Sequence, residues 1–113
     1  MDSKTQILKT AILFNKSLKA CGYQKLVIDG ASAQALTVPT EASYAEIRLE
    51  SDVTSSIPVR YLMLAATTPP TTTDGLALNH LDFFDVPDGD NLRNLRFIEV
   101  SNGTHTLHIQ YYK

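Results

Sequence analysis

The sequence predicts a mainly β fold: a single β-sandwich or jelly-roll-like domain of about six to eight short antiparallel strands, with an N-terminal helix or arm. Short apolar runs with a period of two fill most of residues 23–113. Turn-forming Gly, Pro, Asn and Asp separate these runs roughly every eight to twelve residues, as in all-β proteins. Helical spacing of apolar residues is confined to the beginning of the chain. We therefore divide the chain into residues 1–22, a helix or arm, and residues 23–113, the β domain.

Composition excludes two classes of partner. The chain has 113 residues, a formal net charge of -2 and a pI near 5.8. Because this charge leaves no broad basic field for a phosphate backbone, we expect no nucleic-acid partner. No run approaches the roughly 18 apolar residues of a membrane span, so we expect no membrane partner. Lys9 interrupts the first apolar run, which does not make a secretion signal, so we expect synthesis in a cytoplasm.

The N-terminal residues carry the pattern of one amphipathic helix. Ser3 and Gln6 fit a capping box, apolar residues recur at helical spacing after them, and Gly22 stands where a helix would end. This pattern predicts a helix over residues 4–20. Residues 11–14 are all apolar and also suit a strand, so an extended arm is the alternative.

Two later segments give the clearest strand patterns. Residues 44–50 alternate, with Ala45, Ile47 and Leu49 on one side and mostly polar residues on the other, which predicts a strand with one face in the core. Residues 57–64 are nearly all apolar, which predicts the central strand of a sheet. Shorter strands are predicted at 26–28, 35–38, 76–78 and 81–86, and a turn at 87–89.

Residues 65–75 form a loop rich in threonine and proline, a composition that builds no core of its own. We expect this loop to project from the domain. We also expect residues 67–74 to be mobile in the free protein and to become ordered only at a contact. The candidate interface residues in this loop are Thr71, Thr72 and Thr73.

The C-terminal residues 93–113 predict a β-hairpin. Asn102-Gly103 stands between two β-rich runs, and both residues accept the positive φ that a type I′ turn requires. Both faces of the resulting strand pair carry large apolar or aromatic groups. Such a pair has to be covered on both sides, so we expect one face to be buried by another chain or by the N-terminal segment. The candidate interface residues of the hairpin are Leu95, Phe97, His108 and Tyr112.

No combination of residues predicts catalysis. His105 and His108 lie three residues apart on a strand and so point to opposite faces, where they cannot share a metal ion. No nucleophile elbow, glycine-rich phosphate loop or Cys-x-x-Cys occurs in the sequence. Clustered carboxylates can hold Ca²⁺, but they also form ordinary turns, and we prefer a solvated turn for Asp82, Asp85, Asp88 and Asp90. We therefore expect no enzymatic activity, no cofactor and no metal.

A series of short motifs resembles small proteins encoded in tailed-bacteriophage genomes. The motifs are, in order, Leu36-Thr-Val-Pro39, Ala45-Glu-Ile-Arg-Leu-Glu50, Val59-Arg-Tyr61, Asp74-Gly75 after a Thr-Pro-rich run, Leu95-Arg-Phe-Ile-Glu99 and Leu107-His-Ile-Gln-Tyr-Tyr112. The resemblance covers residues 34–113. It implies a non-enzymatic virion structural protein, for which we prefer a capsid decoration or cement protein that binds and stabilises the head shell. The alternative is an accessory protein of the neck or tail.

The resemblance also implies partners and a location. The partners are the major capsid protein or other virion proteins, together with further copies of the chain in a homo-oligomer. The location is the virion, after synthesis in the cytoplasm of a bacterial host. A compact β domain with apolar surface suits this role, because many weak contacts act together in a symmetric shell.

Two interpretations from other functional classes remain open. The first is a carbohydrate-binding β-sandwich for recognition of a cell surface, with tyrosine rings as a stacking platform. The tyrosines concerned are Tyr44, Tyr61, Tyr111 and Tyr112. The second is a catalytic jelly roll, which needs converging histidines and carboxylates. The alternation of side chains along the predicted strands does not provide such convergence.

Overall fold

The computed structural model describes residues 18–63 and 67–113. It is mainly β, as predicted, with two antiparallel sheets of four strands each. The strands are β1 Ala20–Val27, β2 Gln34–Ala35, β3 Tyr44–Ser51, β4 Val59–Leu62, β5 Leu76–Leu78, β6 Phe83–Val86, β7 Arg96–Glu99 and β8 His105–Tyr112, with one short helix, α1 Gly89–Asn94, between β6 and β7. The order in the first sheet is β1-β8-β3-β6, and the order in the second sheet is β2-β7-β4-β5.

Strand β3 forms as its alternation predicts. Ala45, Ile47 and Leu49 are fully buried, while Arg48 and Glu50 are exposed on the opposite face. The register with β8 places Ile47 opposite Ile109 and Leu49 opposite Leu107, so that the inner faces of the two strands form one apolar layer. Burying a side chain of this kind stabilises the fold by about 1.5–3 kcal/mol.

An aromatic cluster joins the two sheets. Phe84 of β6 stacks on Tyr61 of β4, with ring centroids 4.4 Å apart and an interplanar angle of 8°. Phe97 of β7 lies 6.0 Å from Tyr61 and 6.5 Å from Phe84. Because these rings come from both sheets, the core is shared between the sheets.

The predicted terminal hairpin is wrong. Strand β7 pairs with β2 and β4 in the second sheet, whereas β8 pairs with β1 and β3 in the first. The segment around Asn102-Gly103 therefore connects two sheets and not two neighbouring strands. The physical reason is burial: Phe97 and Leu107 are both completely buried when their strands lie in opposite layers. The large apolar groups on this segment are covered by the chain's own core.

The connection between β7 and β8 is held by hydrogen bonds to two other loops. The Val100 amide donates to the carbonyl of Pro58 at 2.8 Å, and the Thr104 amide donates to Asp52 Oδ1 at 2.9 Å. Gly103 does not have the positive φ of a type I′ turn. A Cβ atom at Gly103 would lie 2.6 Å from Val53 Cγ2, so close approach of the loops explains the glycine.

We expect Gly103→Ala to lower the free energy of unfolding by about 1–3 kcal/mol, because the added methyl group forces the neighbouring loop to move. Urea denaturation followed by circular dichroism measures the change. Asn102→Ala, at the exposed neighbouring position, is the control and should stay within about 0.5 kcal/mol of the unmodified protein. Equal stability of the two variants would contradict the close approach.

The predicted N-terminal boundary is also revised. The predicted helix over residues 4–20 falls mostly outside the described residues. The described part begins β1 at Ala20, and Gly22 lies inside this strand at an irregularity of the register with β8, not at the end of a helix. Lys19 and Lys113 exchange two backbone hydrogen bonds, of 3.0 and 2.8 Å, just beyond this pairing. Residues 20–22 therefore belong to the first sheet.

Two further segments differ in detail from the sequence prediction. The strand predicted at 57–64 is β4, which is shorter and lies between β7 and β5 in the interior of its sheet. The turn predicted at 87–89 begins helix α1, where Asp88 Oδ1 accepts a hydrogen bond from the Asp90 amide at 2.8 Å. A helix of six residues is too short to show apolar periodicity. In the described part of the chain, no helix has the length and apolar character needed to cross a membrane.

Candidate functional site

An open groove lies on the face of the first sheet that points away from the core. Its volume is about 360 Å³. We call it the outer groove, and its lining residues are Lys25, Glu50, Ser51, Asp52, His80, Thr104, Thr106 and His108. The lining combines carboxylates, histidines, hydroxyls and one ammonium group, so the groove offers both donors and acceptors of hydrogen bonds.

Strand register places the central groove residues side by side. Thr106 pairs with Val27 of β1 on one side and with Glu50 of β3 on the other. His108 pairs with Lys25 in the same way. Residues directly opposite each other in antiparallel strands share a face, so three strands contribute to one surface.

A hydrogen-bonded series of three side chains borders the groove. Tyr23 Oη lies 2.6 Å from His108 Nδ1, and His108 Nε2 lies 2.6 Å from Glu50 Oε1. A carboxylate only accepts hydrogen bonds, so Nε2 carries the hydrogen and Nδ1 of a neutral imidazole accepts from the tyrosine hydroxyl. The His108 ring and the Glu50 carboxylate are thereby held in fixed positions.

His80 is oriented by the backbone. Its Nδ1 accepts a hydrogen bond from the Ser51 amide at 3.1 Å. A nitrogen that accepts from a backbone N–H carries no hydrogen, so the hydrogen of the ring lies on Nε2, which is a donor. The groove therefore has an imidazole donor whose tautomer is set by the end of β3.

His105 lies on the other side of β8 and has a structural role. It is completely buried, with Nδ1 2.8 Å from Ser51 Oγ, and its Nε2 lies 2.7 Å from the Ser101 carbonyl and 3.1 Å from Glu99 Oε2. The prediction that His105 and His108 point to opposite faces is confirmed by the alternating burial along β8. Because Ser51 is also buried, this serine, histidine and glutamate series joins the two sheets inside the core.

The predicted interface residues of the C-terminal segment are not brought together. Leu95 and Phe97 are completely buried in the chain's own core, so they are not available to another protein. His108 lies in the outer groove. Tyr112 is partly buried, and its hydroxyl donates to Glu46 Oε1 at 3.3 Å. Burial and the Glu46 charge raise the pKa of Tyr112 above its ordinary value.

The threonine-rich loop leads into β5 of the second sheet, and hydrogen bonds join residues within it. Thr71 Oγ1 accepts from the Asp74 amide at 2.9 Å, and the Thr71 amide donates to the Asp74 carbonyl at 2.9 Å. Arg60 Nη1 of β4 donates to the Gly75 carbonyl at 2.8 Å. Thr71, Thr72 and Thr73 are exposed, as predicted for a projecting loop. That residues 67–74 become ordered only at a contact stays a prediction.

The four tyrosines predicted as a stacking platform do not form one. Tyr44 and Tyr111 are each 1% exposed, and Tyr61 is stacked in the aromatic cluster. Burial raises the pKa of Tyr111 to about 12. The exposed tyrosine is Tyr23, which was not among the four predicted residues. Tyr23 stands two residues before Lys25 in an alternating segment, and this spacing was the sequence feature that could have predicted its exposure.

The clustered aspartates have structural roles. Asp82 Oδ2 accepts from the Asn79 amide at 2.9 Å, and Asp88 caps helix α1. The carboxylate of Asp85 is buried, which differs from the predicted solvated turn. The pKa of Tyr44 is raised mainly by burial of its own phenol and, to a smaller extent, by the charge of Asp85. Among residues 18–63 and 67–113, no three His, Cys, Asp or Glu side chains form a group that could hold a metal ion.

Comparisons with known proteins give the chain no family. A scan against protein-family models found no match, and searches of the curated proteins and of the solved structures found none either. The resemblance to small tailed-bacteriophage proteins therefore stays a prediction. The fold, the outer groove and the exposed residues described above are what the structure adds to an assignment of function.

Proposed function

We propose that the chain is a non-enzymatic virion structural protein with a β-sandwich fold, of the capsid decoration or cement type. It binds the major capsid protein or another virion protein through strand β1. The observation that carries the proposal is the exposure of two large apolar side chains on this strand, Tyr23 at 60% and Val27 at 50%. The virion assignment itself comes from the motif resemblance.

The position of β1 suits a docking surface. The strand has eight residues and lies at the edge of the first sheet, where β8 is its one partner among the strands of residues 18–63 and 67–113. An edge strand presents backbone N–H and C=O groups that another chain can pair with. Part of this edge is covered, because Gln34 Nε2 donates to the Val27 carbonyl at 2.9 Å. We assign the partner to the Tyr23 end of β1, where the Tyr23 side chain is exposed.

The exposed side chains add apolar area to this edge. Tyr23, Lys25 and Val27 alternate with half-buried residues and so point to one face of the sheet. Aromatic residues are enriched at protein interfaces, because they bury a large area and keep a polar group for a hydrogen bond. Even a modest contact free energy per copy becomes large when a symmetric shell binds many copies.

Particle composition tests the virion assignment. Particles purified from a producing culture should contain the chain in a fixed ratio to the major capsid protein. Particles depleted of the chain should lose DNA at a lower temperature, and the purified protein added back should restore their resistance. If the chain stays in the soluble lysate and never copurifies with particles, the virion assignment is wrong. If depleted particles are equally heat-resistant but fail to adsorb to cells, the tail interpretation replaces the cement interpretation.

A double variant tests the docking surface. Tyr23→Ser combined with Val27→Ser should reduce incorporation into particles at least tenfold, which corresponds to a loss of about 1.4 kcal/mol of binding free energy per copy. The matched control is Leu76→Ser on β5 of the second sheet, because Leu76 is 57% exposed and lies on a different edge. The double variant and the control should unfold within about 5 °C of the unmodified protein, because exposed positions contribute little to stability. Equal incorporation of the two variants would place the docking surface elsewhere.

A further inference from the structure

We propose that the outer groove binds a neutral saccharide. This inference goes beyond the proposed structural function and does not depend on it. The groove differs from the predicted platform of four tyrosines, because none of these tyrosines lines it. Four observations support the proposal: the charge of the lining, its fixed acceptors, its fixed donors, and an exposed ring beside it.

The charges of the lining disfavour an anionic ligand. Glu50 and Asp52 are carboxylates, and Lys25 is the one ammonium group of the lining. A phosphate or sulfate group would meet more negative than positive charge here. A neutral ligand with many hydroxyls meets no such repulsion and still finds partners for hydrogen bonds.

The two carboxylates are held in place before a ligand arrives. Glu50 Oε1 is 2.6 Å from His108 Nε2, and Asp52 Oδ1 accepts from the Thr104 amide at 2.9 Å. Carboxylates form strong charge-assisted hydrogen bonds with hydroxyl donors, and two oxygens match two neighbouring hydroxyls. Since the side chains are already ordered, less conformational entropy is lost when a ligand binds.

Donors complement these acceptors. His80 Nε2 carries a hydrogen because Nδ1 accepts from the Ser51 amide, and the Lys25 ammonium has three hydrogens to donate. The hydroxyl of Thr106 both donates and accepts. Hydroxyl and ring oxygens of a sugar need such a mixture of partners.

An exposed aromatic ring lies beside the groove. Tyr23 stacks near His108, with centroids 6.2 Å apart, and the phenol is 60% exposed. A flat ring face provides apolar contact for the C–H groups of a pyranose, while the groove side chains contact its hydroxyls. The volume of about 360 Å³ falls in the range of small-ligand sites, roughly 300–1,000 Å³.

NMR titration of the isotope-labelled protein tests the proposal. The probes are the methyl glycosides of glucose, galactose, mannose and N-acetylglucosamine, with short oligomers of each. We expect at least one series to shift backbone amides of residues 50–52 and 104–108, with a Kd of about 0.1–10 mM. Inorganic phosphate is the anionic comparison and should cause no saturable shift at these amides.

Two conservative variants assign the binding to the groove. Glu50→Gln and Asp52→Asn keep the shape of the side chains but remove the charge, and each should weaken binding about tenfold. Leu76→Ser on β5 of the second sheet is the control, because Leu76 is exposed and lies outside the groove lining, and it should bind saccharide like the unmodified protein.

Three results would overturn the saccharide proposal. They are the absence of saturable shifts with every saccharide, shifts that are unaffected by both charge-removing variants, and tighter binding of phosphate than of any sugar. Thermal unfolding of each variant shows whether it is folded under the titration conditions. Both proposals use the exposed Tyr23 side chain, so saccharide binding is measured on the free protein, and none of these results changes the expected incorporation into particles.

Discussion

Replacing Phe97 with serine is expected to lower the free energy of unfolding by about 3–5 kcal/mol. Phe97 is completely buried and contacts the stacked pair of Tyr61 and Phe84, so the change removes a ring from the cluster that joins the sheets. The loss includes the transfer free energy of the ring and the cost of the cavity it leaves. Because domains of this kind are stable by only about 5–15 kcal/mol, the variant loses a large part of its stability.

Equilibrium unfolding in urea, followed by far-UV circular dichroism, measures this loss. Leu76→Ser is the control, because it makes a similar change from apolar to polar at an exposed position and should cost about 0.5 kcal/mol or less. A loss below about 1 kcal/mol for Phe97→Ser would mean that the ring lies at a surface, as expected for an interface residue.

His105→Ala is expected to lower the free energy of unfolding by about 3 kcal/mol or more. The buried imidazole provides hydrogen-bond partners for Ser51, Ser101 and Glu99. Each buried polar group left without a partner costs about 1–3 kcal/mol. The effect should be large because Glu99, only 12% exposed, loses the partner of its carboxylate.

His108→Ala is a matched control from the same strand. His108 also pairs with a glutamate, but the Glu50 side chain is 58% exposed, and ion pairs at such positions contribute about 1 kcal/mol or less. The two variants therefore differ in the face of β8 that they alter. Equal stability losses in urea denaturation would contradict a structural role for the buried histidine series.

The alternation of β3 was predictable because it is local information. Ala45, Ile47 and Leu49 lie two residues apart, and a strand places such residues on one face whatever its partners are. The pairing of the strands on either side of Asn102-Gly103 could not be predicted from local alternation. Asn102-Gly103 indicates a change of direction, but the pairing of the flanking strands depends on which faces can be buried together. Here Phe97 and Leu107 lie in different sheets and are both buried in the core between them. A local turn signal does not predict which sheet a strand joins.

The outer groove was beyond prediction for a similar reason. Lys25, Glu50, His80 and Thr106 come from four separate parts of the chain. Only the registers of β1 and β3 with β8 bring three of them together, and register is a property of the assembled sheet. The opposite orientations of His105 and His108 were predictable, because strand parity alone decides them.

The place of β8 in the first sheet has a consequence for synthesis. This strand comes last among the described strands, yet it lies between β1 and β3 and pairs with both along its length. A ribosome adds about 5–20 residues per second, so β1 and β3 are synthesised several seconds before the strand that pairs with both. During that interval Ile47 and Leu49 lack the strand beside them. Protection of the nascent chain from premature pairing with other chains therefore depends on how quickly β8 leaves the ribosome.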